Sequence, residues 1–398
     1  MENKTVRLYF IDAMRAWAIL MMLQGHFVDG LLDNAFRDTG SLGFNIWKYF
    51  RGVTAPVFFT VSGFIFTYLL VRGDKKGFEN PRVQKGIKRG LQLLFIGYLL
   101  RTNIFGLLNG QIYPSFYLVD VLHCIGFSLI GIVGIYLLTY NKRNFWFPLV
   151  LVLTTFILFI LEPVYKQWSY AFLPEIMANY LTKTNGSVFT VIPWFGYTTV
   201  GAFVSLIFTR HKNAKLLYPI AITVSALIGL SLIFLSSDLF RSLYQLTGLQ
   251  LFASVYGNNY LFIRLGDVFL VFAIFMIFRR FMTNRTILGI GQSTLTIYVV
   301  HYIILYGSFT GLGLYYFLNH SLSPAVVIPG AVVFMAVCTY LSLKYEKNKA
   351  TIKANMATGL QFLWNQAEPW VFFTLKLFRT YLQRARLAVL RLIGLEGN

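Results

Sequence analysis

Long apolar runs dominate the chain, and they recur at the length a membrane demands. A ~30 Å hydrocarbon slab requires about 18 to 22 mostly apolar residues of a helix. Ten such windows can be read, at approximately 9–28, 49–71, 90–108, 117–140, 146–162, 189–208, 216–235, 260–279, 287–307 and 323–343. The pattern predicts an all-α polytopic membrane protein of about ten transmembrane helices. No Pro/Gly/Ser-rich linker or charge-rich hinge divides residues 1–343, so one transmembrane domain is expected there, followed by a tail over 344–398. Asp12 and Arg15 interrupt the first window and no small-residue cleavage site follows Phe27, which argues for a retained span and against a cleavable signal peptide.

The tail has a different period. From Trp370 to Ile393, Lys376, Arg379, Gln383, Arg384, Arg386 and Arg391 fall on one side of a helical wheel. Leu377, Phe378, Tyr381, Leu382, Ala385, Val389, Leu392 and Ile393 fall on the other, with Leu387 and Leu390 as exceptions. This predicts a basic amphipathic helix on the inner membrane face, because Arg-rich polar faces suit anionic lipid. A helix packed on the protein itself or on a partner, an envelope protein or a second copy of the chain, is the alternative.

Composition sharpens the membrane reading. Only 13% of the 398 residues are charged and 57% are hydrophobic, about half the roughly 25% charge of a soluble domain. The net charge of +20 would suggest nucleic acid in a soluble protein. The positions argue otherwise: 26 of the 35 Lys and Arg lie in the N-terminus, the alternate loops near 72–89, 141–145, 209–215 and 279–286, and the tail. The opposite loops hold only Arg37, Lys48, Lys166, Lys183 and Arg241. By the positive-inside rule both termini are expected in the cytoplasm of a multi-pass plasma-membrane protein, the inner membrane in a bacterium, and no nucleic-acid partner is expected. Cys124 and Cys338 both fall in apolar windows, too few for a disulfide framework or a zinc site, and no metal is expected.

With that orientation each intramembrane charge acquires a depth, and such charges are functional candidates because they cost several kcal/mol. Asp12 and Arg15 fall near the cytoplasmic face; His26, Asp29, Arg51, Arg101, Asp120, His123, Arg264, Asp267 and His301 share the outer half. Snorkelling accounts equally well for Arg51 and Arg264, and the i,i+3 pairs Asp12/Arg15 and Arg264/Asp267 can be purely structural. His26 with Asp29, and Asp120 with His123, are also i,i+3 pairs, so each imidazole is expected to have a carboxylate on its own helix face, as a general base would. The candidate catalytic residues are therefore His26, Asp29, Asp120 and His123. Arg15, Arg51, Arg101 and His301 are candidates for binding substrate.

Arg15 and His26 lie on one face of the first span, about 16 Å apart along the axis. One helix could thus present a cation near the inside and a base near the outside to an elongated ligand such as acyl-CoA, with Asp12 and Arg15 facing the CoA. Arg72, Lys75, Lys76, Arg82, Lys85, Lys88 and Arg89 could steer that polyanion, although ordinary positive-inside topology explains the same loop.

The residues also resemble a known group. Arg7-Leu-Tyr-Phe-Ile-Asp12-Ala-Met-Arg15, followed by Gln24-Gly25-His26, is similar to the Asp-x-x-Arg opening of the transmembrane acyltransferases, with their histidine eleven residues after the arginine. The likeness is to the branch around heparan-α-glucosaminide N-acetyltransferase, with relatives in the bacterial acyltransferase-3 family. Arg51-Gly-Val-Thr-Ala-Pro56, ending in Ser62-Gly63-Phe64, resembles the second-span motif. Asp120-Val-Leu-His123-Cys-Ile-Gly126, Pro193-Trp194-Phe195-Gly196 with Gly201, and Gly291 to Tyr298 and His301 follow in matching order. The resemblance implies acyl-CoA, acetyl-CoA first, as cytoplasmic donor; His26 as catalytic residue; and a glycan or lipid acceptor of the cell envelope. His123-Cys124, the 163–188 loop and the tail depart from the pattern. Direct transfer and an acyl-histidine intermediate both remain open. The rival readings are a secondary transporter using the same polar set, for which no inverted repeat is visible, and a non-catalytic subunit of an envelope complex.

Overall fold

The computed structural model describes residues 8–392, with side chains as far as residue 385. Every helix-length apolar window contains a helix: α1 (Tyr9–Leu31), α2 (Leu42–Leu70), α3 (Pro81–Arg101), α4 (Val121–Thr139), α5 (Trp146–Ile160), α6 (Val191–Arg210), α7 (Leu217–Phe234), α8 (Tyr260–Ile277), the pair α9 (Arg285–Gln292) and α10 (Thr294–Tyr306), and α11 (Pro324–Leu392). No strand forms among the described residues; extended pairing is confined to the isolated bridges Leu32 with Leu322 and Asn103 with Phe309. The all-α expectation is met.

The expectation of about ten spans is not reached on length and composition. Among the described residues six helices are long and apolar enough to cross a membrane, seven if the bent pair α9/α10 is one span. The shortfall has a physical cause. Asp12, Arg15 and Asp29 make α1 too polar, Arg82, Lys85, Lys88 and Arg89 do the same for α3, and α5 is a short apolar helix of 15 residues.

Local chemistry sets the ends of these helices. Asn80 caps α3 by accepting from the Arg82 N–H, with Pro81 in the first turn where its missing N–H costs nothing. Asn284 caps α9, and Gly307 ends α10 in the left-handed conformation (φ 68°). Between α9 and α10 the axis turns by 71°. Gly291 permits the approach there, since a Cβ at that position would stand 2.0 Å from the Asp12 carbonyl oxygen of α1.

The chain divides into two units, Met1–Ser342 and Leu343–Asn398. In the first, α1, α2, α6 and α8 share a core of Phe10, Ile11, Met14, Val57, Phe64, Phe208 and Phe272. α2 and α6 cross almost backbone to backbone: a Cβ at Gly63 would lie 2.0 Å from the Thr198 carbonyl oxygen, and one at Gly201 would lie 1.7 Å from that of Thr60. Small residues are the means of close helix contact where lipid offers no hydrophobic drive. The Ser62-Gly63-Phe64 motif is therefore a packing motif. Cys124 and Cys338 are free and buried.

In the second unit nearly every described side chain is exposed, and Lys349 pairs with Glu346 at 3.1 Å. The basic side of the predicted amphipathic helix is represented there by Lys376, Arg379, Gln383 and Arg384. The side chains of Arg386, Leu387, Val389, Leu390, Arg391 and Leu392, and all of Ile393, lie outside the described residues.

Candidate active site

Three cavities succeed one another along α1, the first two sharing three lining residues and the last two sharing Phe58. The first, about 370 Å³, is lined by Asp12, Arg15, Arg72 and Arg82 with apolar residues of α1 and α2. Arg15, Ile65 and Leu69 also line the second, about 260 Å³, where Arg89, Thr294 and Tyr298 join a mainly apolar wall. Phe58 then separates that cavity from a third of about 430 Å³, which His26 lines together with Lys48, Arg51, Lys183, Trp194 and Arg264. α1 therefore displays Arg15 and His26 along one face, as their spacing predicts.

Arg15 is held from two sides. Its guanidinium donates to the Thr294 hydroxyl at 2.9 Å, at the start of α10, and lies 3.8 Å from Asp12. The bend after Gln292 brings Thr294 to that point. Thr294 is a residue that sequence reasoning passed over, and its position directly after a helix break was the available signal.

His26 does not pair with Asp29 as expected. Its Nδ1 lies 3.3 Å from the Tyr306 hydroxyl, and its ring meets that of His301 edge to face, centroids 5.3 Å apart. Asp29 is instead taken by Arg51, at 2.5 Å, and by Arg37, which reaches both its carboxylate and its carbonyl oxygen. Two guanidinium groups win this carboxylate because charged hydrogen bonds are roughly twice as strong as neutral ones. His301 is fully buried, and neither of its ring nitrogens has a hydrogen-bond partner among the described residues. It backs His26, and the cavity lining does not include it.

The third cavity is cationic. Arg51 shares Asp29 with Arg37, and Arg264 pairs with Asp267 at 2.9 Å while lying over the Tyr49 ring at 4.3 Å. Lys48 and Lys183 have no carboxylate within ion-pair distance among the described residues. The Lys183 ammonium sits over the Trp194 indole, 6.0 Å from its centroid, at the outer limit of a cation–π contact. Desolvation, with the nearby charge of Lys166, holds Lys183 below the ordinary lysine value against the opposing pull of Glu162.

Asp120, His123 and Arg101 are gathered elsewhere. Asp120 caps α4 by accepting from the Leu122 N–H at 3.0 Å, His123 completes the capping box, and Arg101 approaches the same carboxylate at 3.4 Å. The His123 ring packs on Tyr98, centroids 4.4 Å apart. Of the three, none lines the His26 cavity; Arg101 lines a separate one of about 170 Å³. The i,i+3 spacing of Asp120 and His123 has a local explanation in helix capping.

Residues 7–237 match the model of the family described as heparan-alpha-glucosaminide N-acetyltransferase, catalytic. The chain belongs to this family. Membership implies acyltransferase activity and, with the apolar helices, marks a multi-pass membrane protein. No curated protein matches the chain. The family match includes Arg15, His26, Lys48, Arg51, Lys183 and Trp194, while Arg264, Thr294, His301 and Tyr306 lie beyond it. The His26 cavity thus draws Arg264 from α8, and Tyr306 and Thr294 of α10 contact His26 and Arg15, from outside the matched segment.

Proposed function

We propose that the protein moves an acetyl group from acetyl-CoA, entering from the cytoplasm, to a hydroxyl or amine of a glycan or lipid acceptor of the cell envelope. The observation that carries this reading is the succession of cavities from Arg72, Arg82 and Arg15 to His26. CoA phosphates suit the basic first cavity, and the narrower apolar second cavity suits the pantetheine arm and thioester. The roughly 16 Å of helix axis between Arg15 and His26 is of the order of an extended pantetheine arm.

With Nδ1 directed at Tyr306, the other ring nitrogen of His26 serves as general base. It takes the proton of the acceptor hydroxyl or amine, whose oxygen or nitrogen attacks the thioester carbonyl carbon. The carbon–sulfur bond breaks, the CoA thiolate leaves, and the proton held by His26 returns to that sulfur. Arg51 and Arg264 supply fixed positive charge near the developing oxyanion, where preorganised cations act strongly. Asp120, His123 and Arg101 support the fold of α4 and the end of α3. The sidedness rests on the loop distribution of Lys and Arg, which supports cytoplasmic termini in a plasma membrane.

The test is transfer of labelled acetyl from acetyl-CoA to envelope fractions by protein in vesicles. Transfer that survives His26→Ala in folded protein would falsify the assignment. Proton-coupled flux without acetyl transfer would favour a transporter.

A further inference from the structure

Positive charge is scarce on the outer side of this chain, yet it is concentrated in one cavity. Of the five basic residues in the loops assigned outside, Lys48 and Lys183 line the His26 cavity, where Arg51 and Arg264 join them. Positive-inside topology does not account for gathering basic residues in one cavity on that side, since it predicts their depletion there. Ion pairing does not explain all four either: Asp29, shared with Arg37, and Asp267 pair with the two arginines, whereas the two lysines pair with no carboxylate among the described residues, and Glu162, which acts on Lys183 at longer range, is paired with Lys166. No carboxylate lines the cavity itself. Both lysines are exposed, so neither is needed to fill a core. The rest of the wall is largely apolar, with Met21, Met22, Phe58, Phe189 and Trp194.

We infer that the acceptor carries a phosphate ester, bound between Lys48 and Lys183 with Arg51 and Arg264 beside it, so that its reactive hydroxyl or amine meets His26. This rests on the acyltransferase reading and names the substrate class of that same site. Two ammonium groups without a carboxylate in ion-pair contact match a multiply charged anion, and lysine binds phosphate as a mobile point charge without demanding planar geometry. A neutral sugar would leave both charges uncompensated beside an apolar wall. The phosphate can belong to a water-soluble phosphoglycan or to a lipid headgroup, since the cavity offers both polar and apolar surface.

The experiment uses the full chain. In detergent it is heated with glycerol 1-phosphate or with glycerol; in zwitterionic vesicles it is heated with or without phosphatidic acid. A rise in melting temperature with either phosphate probe supports the inference, the first pointing to a soluble acceptor and the second to a lipid. Lys48→Gln and Lys183→Gln, made separately, should each weaken the effective probe by about tenfold or more, the loss expected for one charged hydrogen bond. Stability without probe and the affinity for acetyl-CoA should stay at the level of the unsubstituted protein. The inference is overturned if neither probe stabilises the protein, or if both lysine substitutions leave the probe's effect intact. It is also overturned if they weaken acetyl-CoA instead, which would give these lysines to the donor. Phosphate binding without acetyl transfer would remove the acyltransferase reading and leave the anion site standing. Transfer to neutral sugars with no phosphate binding would do the reverse.

Discussion

His26 and His301, on α1 and α10, meet edge to face with their ring centroids 5.3 Å apart, and Tyr306 closes the group by placing its hydroxyl 3.3 Å from His26 Nδ1. The His26 imidazole is oriented here by a neutral hydroxyl and a buried ring, both from one helix. The carboxylate three residues away on its own helix is engaged with arginine.

Loss of the base should be severe and should not compound. His26→Ala is expected to lower kcat by roughly 10²- to 10⁴-fold, the usual worth of general-base catalysis. Tyr306→Phe should lower kcat less and leave KM for both substrates near its starting value. The double variant should be no slower than His26→Ala alone, because residues acting as a unit are not additive. Steady-state kinetics on vesicles distinguishes these outcomes, and additive losses would separate Tyr306 from His26.

At the other end of the passage the effect should fall on donor binding. Arg15→Ala removes the guanidinium that Thr294 holds at 2.9 Å, and KM for acetyl-CoA should rise by about tenfold or more, as for loss of a charged hydrogen bond. Thr294→Val should move the same parameter in the same direction by a smaller factor. An unchanged KM for acetyl-CoA in Arg15→Ala would place the donor elsewhere.

Helix contact between α2 and α6 predicts a stability effect independent of chemistry. Gly201→Ala puts a methyl where the Thr60 carbonyl oxygen is only 1.7 Å away, so the helices must separate, at a cost of at least the ~1–3 kcal/mol typical of overpacking. Gly134→Ala is the control: nothing stands within 4 Å of the added carbon, in the middle of α4, and stability should hold or rise by ~0.4–1 kcal/mol. Thermal unfolding in detergent compares the two, and equal melting temperatures would contradict the backbone-to-backbone crossing.

Asp120 offers the sharpest contrast with His26. Asp120→Ala removes the α4 cap and takes the carboxylate from half-buried Arg101, which keeps its bond to the Ser115 carbonyl oxygen; the cost should be ~1–3 kcal/mol, that of a lost cap and a lost charged hydrogen bond. Asp120→Asn keeps a capping oxygen and should lose less. In both, acetyl transfer per folded molecule should be retained, so activity tracks the folded fraction measured by size-exclusion chromatography. A folded Asp120→Asn protein without activity would return this carboxylate to the chemistry.

Much of this molecule was legible in the sequence because hydropathy and helical period are local properties. Ten apolar windows marked the positions of the helices, eleven residues between Arg15 and His26 put both on one face, and the order of short motifs from Asp12 to His301 pointed to the family. What a linear reading could not supply was which group occupies the other side of each face. Asp29 is one turn from His26, yet it points to guanidinium groups delivered by α2 and by the segment after α1, because a charged pair outcompetes a neutral one. Tyr306, Thr294, Lys48 and Lys183 acquire meaning only when α10, α2 and the 163–188 loop fold over α1. Glycine contacts such as Gly201 on Thr60 set those approaches. Helical period decides the direction in which a side chain points; non-local packing decides what it meets there, and the catalytic proposal depends on the second.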